Sequence, residues 1–249
     1  QQQAVEHRNP EFAAAEAYWR EHFADSVPTL DLPTDRPRPA HRSFAGDFVS
    51  CSLSPELTAA VKRLCAERES TVHTALLAVF NVLLHRLTGQ ADVVVGVPTA
   101  GQALDGRPEL VGHFANLIPI RSRIRDDQRF SDYLSEVQRN ESKALAHGRY
   151  PFVRLLQQLK LPRDSSRVPL TPVLFNTTHH RGTVEFADVV AKLTVHPKRF
   201  VNFDLNFNLA LIGESLALGC YYSTELFDRS TVARWLGHFE TLLLSLIHI

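Results

Sequence analysis

The stretch Val93-Val94-Val95-Gly96-Val97-Pro98-Thr99-Ala100-Gly101-Gln102 decides the fold. Residues 92–97 form a short, almost wholly apolar run, the signature of a strand buried on both faces. Neither Gly96-Val97-Pro98 nor Gly101-Gln102 has the spacing of a dinucleotide-binding turn, so the strand does not lead into a nucleotide site.

Just upstream, Thr71 is placed to cap a helix whose interior carries Val72, Ala75, Leu76, Val79, Phe80, Leu83, Leu84 and Leu87. Gly89 ends that helix as a left-handed cap. Before it, Ser54-Pro55-Glu56 opens a helix with the stripe Leu57, Ala60, Val61, Leu64 and Cys65, and 44–53 alternates as a strand with Val49, Cys51 and Leu53 on one face. Asn9-Pro10-Glu11 starts a helix anchored by Trp19 and Phe23. Between these, Pro28, Pro33, Pro37 and Pro39 forbid a helix over 27–42 and predict an extended strap crossing one domain.

Downstream, helices are expected over 130–146 and 151–160, and strands over 173–178, 203–209 and 216–222, the last two joined by a turn at Gly213-Glu214. Asp228 is placed to cap a final helix, with Phe227 and Val232 as a hydrophobic staple and Val232, Trp235, Leu236, Phe239 and Leu243 as its buried stripe. Helices and strands in no strict alternation predict an α/β (α+β layered) fold, a mixed sheet flanked by helices, packed as one unit over 1–243. Residues 244–249 match the reading frame of a sequencing-transposon end and are expected to be a cloning artefact; the alternative is a plain apolar helix end.

Lys plus Arg equal Asp plus Glu at 27 each in 249 residues, which gives no electrostatic case for nucleic acid or an anionic membrane. No apolar run reaches the roughly 18 residues of a membrane span. The three cysteines, Cys51, Cys65 and Cys220, form neither a disulfide framework nor a metal knuckle, and a cytoplasmic location is expected.

Most chemical signatures fail on spacing. His179-His180 has Val184 at the fourth position after the second histidine, where an orienting acid would stand, and the pair is expected in an exposed loop. There is no HExxH, no GxSxG and no phosphate-cradling loop. Asp126-Asp127, flanked by Arg121, Arg123, Arg125 and Arg129, reads as a solvated charged turn.

Four segments, in order, carry a resemblance. The opening stretch resembles the strand and tunnel-lining loop of the condensation domains of non-ribosomal peptide synthetases. Val111-Gly112-His113-Phe114-Ala115-Asn116-Leu117-Ile118-Pro119-Ile120-Arg121 is similar to their Gly-x-Phe-x-Asn segment, while Tyr150-Pro151-Phe152 and Arg163-Asp164-Ser165-Ser166-Arg167-Val168-Pro169-Leu170 resemble two later signatures. Tyr18-Trp19 and Leu32-Pro33-Thr34-Asp35-Arg36-Pro37 fit the same pattern upstream.

The resemblance implies a chloramphenicol acetyltransferase-like fold of two lobes, each a sheet flanked by helices, around a tunnel. It implies that this chain is the C-terminal lobe. The family's catalytic His-His-x-x-x-Asp-Gly belongs to the N-terminal lobe and is not in this sequence, so no catalytic residue is expected here and the chain alone is expected to be inactive. The reaction joins an acyl or peptidyl thioester on one carrier protein to an amine on the next. No cofactor is bound directly, and substrates arrive on phosphopantetheine.

The implied partners are the N-terminal lobe, the upstream and downstream carrier proteins and an adenylation domain. The implied substrate-binding residues are Ala100, Gly101, Gln102, Gly112, Asn116 and Asn206. Ala100 and Gln102 depart from the Ser and Arg that many members have there. Gly112 is a close-approach or a turn glycine, and Asn116 orders a tunnel loop or bonds nearby backbone. Arg163 and Asp164 are expected in structural ion pairs. Asn202, Asp204, Asn206 and Asn208 share one strand face that meets either the tunnel or solvent. Two alternatives stay open: a non-catalytic module that docks carriers, and an epimerisation, heterocyclisation or free-standing acyltransferase relative on the same fold.

Overall fold

The computed structural model describes residues 10–101, 111–112, 114–180, 198–212 and 215–247. The described elements run α1 (Pro10–His22), β1 (Gly46–Ser52), α2 (Pro55–Glu67), α3 (Val72–Thr88), β2 (Asp92–Ala100) and β3 (Ala115–Arg123). They continue with α4 (Phe130–Ala146), α5 (Phe152–Leu159), β4 (Val173–His180), β5 (Leu205–Ile212), β6 (Ser215–Ser223) and α6 (Arg229–Ile247). No helix among them is long and apolar enough to cross a membrane.

The strands form one sheet in the order β1-β6-β5-β4-β2-β3. The central strands β2, β4 and β5 are parallel, and the flanking β6, β1 and β3 pair antiparallel to their neighbours. The mixed sheet flanked by helices is the layered architecture expected. Strand β3 was not foreseen, because Pro119 breaks the usual pattern. It lies at the sheet edge, where a missing backbone N–H costs no ladder bond.

Register sorts the sheet into two faces. Val49, Cys220, Phe207 and Phe175 stand side by side across β1, β6, β5 and β4, and all but Val49 are at most 3% exposed. Phe175 and Phe207 meet Phe80 of α3 with ring centroids 5.4 and 4.7 Å apart, and Phe207 meets Phe239 of α6 at 5.0 Å. This face carries the core, and α3 runs through its middle with Leu76, Leu77 and Leu84 fully buried. Its ends are as expected: Thr71 Oγ1 accepts from the N–H of Thr74 at 3.0 Å, and Gly89 adopts φ 70°. Ser54 caps α2 in the same way by accepting from Leu57 N–H. One buried cluster runs from Ala15 to Leu243.

The proline strap crosses the fold and is bonded into it. Leu30 and Leu32 are buried, Asp35 donates its N–H to the Leu226 carbonyl at 2.9 Å, and Arg38 pairs with buried Asp204 at 2.7 Å.

Four expectations are corrected. The last helix begins after Asp228, but that side chain pairs with Arg36. Asp35 of the strap holds the helix start instead, accepting from Asp228 N–H at 2.7 Å and Thr231 Oγ–H at 2.9 Å. His179 and His180 lie in β4, in register with Leu211 and Ile212, not in a loop. Strand β5 starts at Leu205, so Asp204 leaves the polar row and is buried against Arg38. Arg121 is no part of a solvated turn: its side chain is 4% exposed.

Candidate functional site

The second face of the sheet is turned away from α3 and α6. It carries Leu174, Asn176 and Thr178 on β4, Asn206, Asn208 and Ala210 on β5, Ala217, Gly219 and Tyr221 on β6, and Phe48 on β1. Most of these side chains are half-buried. A Cβ on Gly219 would lie 2.7 Å from the Phe48 ring, which in turn packs on Tyr221 at a centroid distance of 4.5 Å. The face is therefore low over β6, walled by two aromatics towards β1 and lined by side-chain amides towards β4.

The amides form a row. Asn176 Nδ2 donates to Asn208 Oδ1 at 3.0 Å, and Asn208 Nδ2 donates to the Asn206 carbonyl at 3.0 Å and to its Oδ1 at 3.1 Å. Asn206, one of the residues singled out, thus stands on this face bonded by Asn208, which Asn176 bonds in turn.

The other singled-out residues gather at one end of the sheet. Ala100 ends β2 opposite Ala115, and both are exposed. Gly101 donates to the Phe114 carbonyl at 3.0 Å, and a Cβ there would lie 2.2 Å from that oxygen, so only glycine fits this approach. Gly112 is exposed, with the Phe114 ring 2.7 Å from where its Cβ would be. Gln102 lies outside the described residues.

Asn116 has a structural role. Its Nδ2 donates to the carbonyls of Gly148 at 2.8 Å and Tyr150 at 2.9 Å, and its Oδ1 accepts from the N–H of Phe152 at 3.1 Å. Pro151 at the start of α5 offers no side-chain cap, so Asn116 caps that helix from another strand. Asn116→Ala is expected to destabilise the fold by about 2 kcal/mol, because three half-buried backbone groups lose their partner at once. Thermal unfolding checks this, and a loss below about 0.5 kcal/mol would show the clamp to be dispensable.

Asp164 accepts from Ser166 N–H at 2.8 Å and Ser166 Oγ at 2.6 Å, which holds its carboxyl below the usual carboxylate range. Arg163 makes no ion pair among the described residues, against expectation. It lines a groove of about 1360 Å³ between residues 27–31 and 153–172, away from the asparagine row.

A further polar network escaped the sequence reading. His73 Nδ1 lies 2.6 Å from Thr177 Oγ1, and Glu141 Oε1 is 3.2 Å from Nε2 but out of line for a hydrogen bond. Thr74 donates to the buried Glu141 at 2.6 Å. Nδ1 is thus bonded to the sheet, while Nε2 is buried beside the Glu141 carboxylate without a hydrogen bond. Among the described residues no three His, Cys, Asp or Glu side chains gather as a metal cluster.

A family model described as "Condensation domain" matches residues 1–248. The chain belongs to the condensation-domain family. It is 36% identical over 239 residues to tyrocidine synthase 3 of Brevibacillus parabrevis, covering 95% of this chain and 4% of that protein. The condensation-family fold is equally plain in solved structures. The X-domain from teicoplanin biosynthesis, solved in complex with OxyB, superposes with a TM-score of 0.85 at 22% identity, covering 96% of this chain and 53% of that one. The first condensation domain of the calcium-dependent antibiotic synthetase, in complex with a substrate analogue, gives 0.77 at 23% identity, over 98% of this chain and 53% of that one. The chain thus spans about half of such a domain and has its chloramphenicol acetyltransferase-like architecture.

Proposed function

We propose that this chain is the C-terminal lobe of a condensation domain in a non-ribosomal peptide synthetase. With an N-terminal lobe it forms an amide between an acyl or peptidyl thioester on one carrier protein and the amine of an aminoacyl group on the next. One observation carries the reading. The likeness covers nearly all of this chain but only 53% of a whole condensation domain, and His-His-x-x-x-Asp-Gly is not in the 249 residues.

In the reaction the amine nitrogen attacks the thioester carbon, the C–N bond forms, the C–S bond breaks, and the amine proton is passed on as the thiol leaves. Alignment of the two groups supplies much of the rate. Tethering on carriers raises their effective concentration to the order of mM. The lobe contributes the open sheet face as one wall of the substrate channel and a surface for carrier docking. Its own residues bind and orient, and the proton-handling histidine comes from the other lobe. The phosphopantetheine arms belong to the carriers, and an adenylation domain in the same synthetase loads the amine substrate.

A module that docks a partner without catalysis is the second reading, favoured by the likeness to the X-domain solved with OxyB. The whole domain encoded by the parent gene, given one acyl-loaded and one aminoacyl-loaded carrier, is expected to yield the joined amide, detected by mass on the downstream carrier. Inversion at the α-carbon without joining would place the protein with the epimerisation relatives. Carrier binding without any product would establish the docking reading.

A further inference from the structure

The last turn of α1 borders a cavity of about 680 Å³ that is also lined by β3 and α4. His22 stands there in a cage of rings. Its imidazole stacks on Tyr18 at 5.4 Å and meets Trp19 and Phe23 edge-on at 5.8 and 5.0 Å. His147, at the end of α4, also stacks on Tyr18, at 4.3 Å. Two hydrogen bonds close the joint. Trp19 Nε1 donates to the His147 carbonyl at 3.1 Å, and Arg121 Nη1 donates to the His22 carbonyl at 2.9 Å.

The charges around this imidazole are lopsided. Arg121 and Arg123 act on it from β3. The acids that act on it are Asp25, just past α1, and Asp92 of β2, and both are already bonded to those guanidinium groups. Glu21 of α1 and Glu136 and Lys143 of α4 complete the charged lining of the cavity, and Glu136 is held by Gln128. Among the described residues, no hydrogen bond or ion pair uses either ring nitrogen of His22. A proton added to the ring would meet two fixed cations and no carboxylate free to receive it. Burial first, then Arg121 and Arg123, hold the His22 pKa below its ordinary value of 6.5, against the pull of Asp25 and Asp92.

We propose that this joint is an acid-operated latch: neutral His22 holds the end of α1 against β3 and α4, and its protonation opens the joint while the sheet stays folded. The half-buried ring borders the cavity, which gives the proton a way in from solvent. The cage takes no part in the ring stack of Phe80, Phe175, Phe207 and Phe239, so the joint can open locally. The sign follows from the lowered pKa. Just below pH 6.5 the opened state binds the proton and the closed state does not. The latch is therefore fully closed above that pH and loses its hold as pH falls through the folded-state pKa. Asp25 titrates only below about pH 4, so the two effects separate. The latch goes beyond the proposed function and depends on neither carriers nor catalysis.

The ¹⁵N-labelled full chain is titrated from about pH 7.5 to about pH 5, the range in which histidine changes charge. The His22 ring is expected to titrate with a midpoint below 6.5. The chain has two tryptophans, and Trp235 packs against Phe227, away from the joint. Through the His22 midpoint the Trp19 indole N–H signal is expected to shift, and to exchange with water faster relative to that of Trp235 in the same sample. Urea unfolding across this range is expected to show falling stability. His22→Gln, neutral at every pH, should flatten that slope and keep the separate loss below about pH 4.

A His22 midpoint at or above 6.5 would mean that the Tyr18 face attracts the cation more than the arginines repel it, and would overturn the proposal. So would a Trp19 signal that behaves as Trp235 does throughout, or a His22→Gln chain with the wild-type slope. The wild-type titration needs no variant to fold.

Discussion

Supplied with both loaded carrier proteins, the chain by itself is expected to form the amide no faster than the uncatalysed reaction. That is about 10²–10⁴ below the whole domain, the range that a positioned general base or acid contributes. The histidines with described side-chain partners contact other groups of the chain and stand outside the family signature. His73 is held between Thr177 and Glu141, and His85 Nε2 binds Asp126 at 3.1 Å. His22 and His147 stack on Tyr18 with centroid distances of 5.4 and 4.3 Å. His179-His180 lacks the acid four positions on that the family signature carries. On the proposed reading the other lobe also supplies half the channel, so the chain alone is expected to lose the alignment of the two substrates along with the base. Quantifying the product by mass spectrometry checks the expectation, and turnover by the isolated chain within tenfold of the whole domain would refute it.

Legibility in the sequence followed the range of the interaction. The capped helices α2 and α3 were readable because Ser54, Thr71 and Gly89 act within three or four residues of where they stand. The β5–β6 pairing was readable from alternation either side of a short turn. Strand β3 was not, because Pro119 and Arg121 interrupt a pattern that only its edge position makes tolerable. The same distance limit governs the site. Asn116 was recognisable as a marked residue, but its three partners lie 32 to 36 positions away and had no local signal. The asparagines of β5 could be placed on one face by period, yet the row they form is completed by Asn176 from a different strand. Asp204 shares their period and leaves the row because Arg38, 166 positions away, draws it inward.

Replacing Arg121 by methionine is expected to destabilise the chain by about 3–5 kcal/mol, the cost of breaking a buried ion pair from one side. All five guanidinium N–H groups are used. Nε and Nη2 grip the Asp92 carboxylate at 2.9 and 2.6 Å, Nη1 reaches the His22 carbonyl at 2.9 Å and Asp25 at 2.8 Å, and Nη2 also reaches Ser26 Oγ at 2.9 Å. One side chain on edge strand β3 therefore binds β2 and the end of α1 together. Asp25 is half-exposed and Asp92 is 28% exposed, so water recovers part of the loss and the lower end of the range applies. Arg121→Lys should recover only part of the stability, since an ammonium cannot fork to this many acceptors.

The pH dependence gives a second readout. Hydrogen bonds from Arg121 and then Arg123 hold the Asp25 carboxyl well below its ordinary value of 3.8. A depressed carboxylate contributes stability that is present above the ordinary value and is lost as pH falls through the folded-state one. The wild-type chain should therefore lose stability on acidification below about pH 4, and Arg121→Met should show a shallower loss because its Asp25 keeps only the weaker partner. Urea unfolding at neutral and acid pH measures both. A cost under about 1 kcal/mol with an unchanged acid limb would mean that α1 is held by Trp19 and Phe23 packing alone. In that case the ion cluster serves the surface and not the joint.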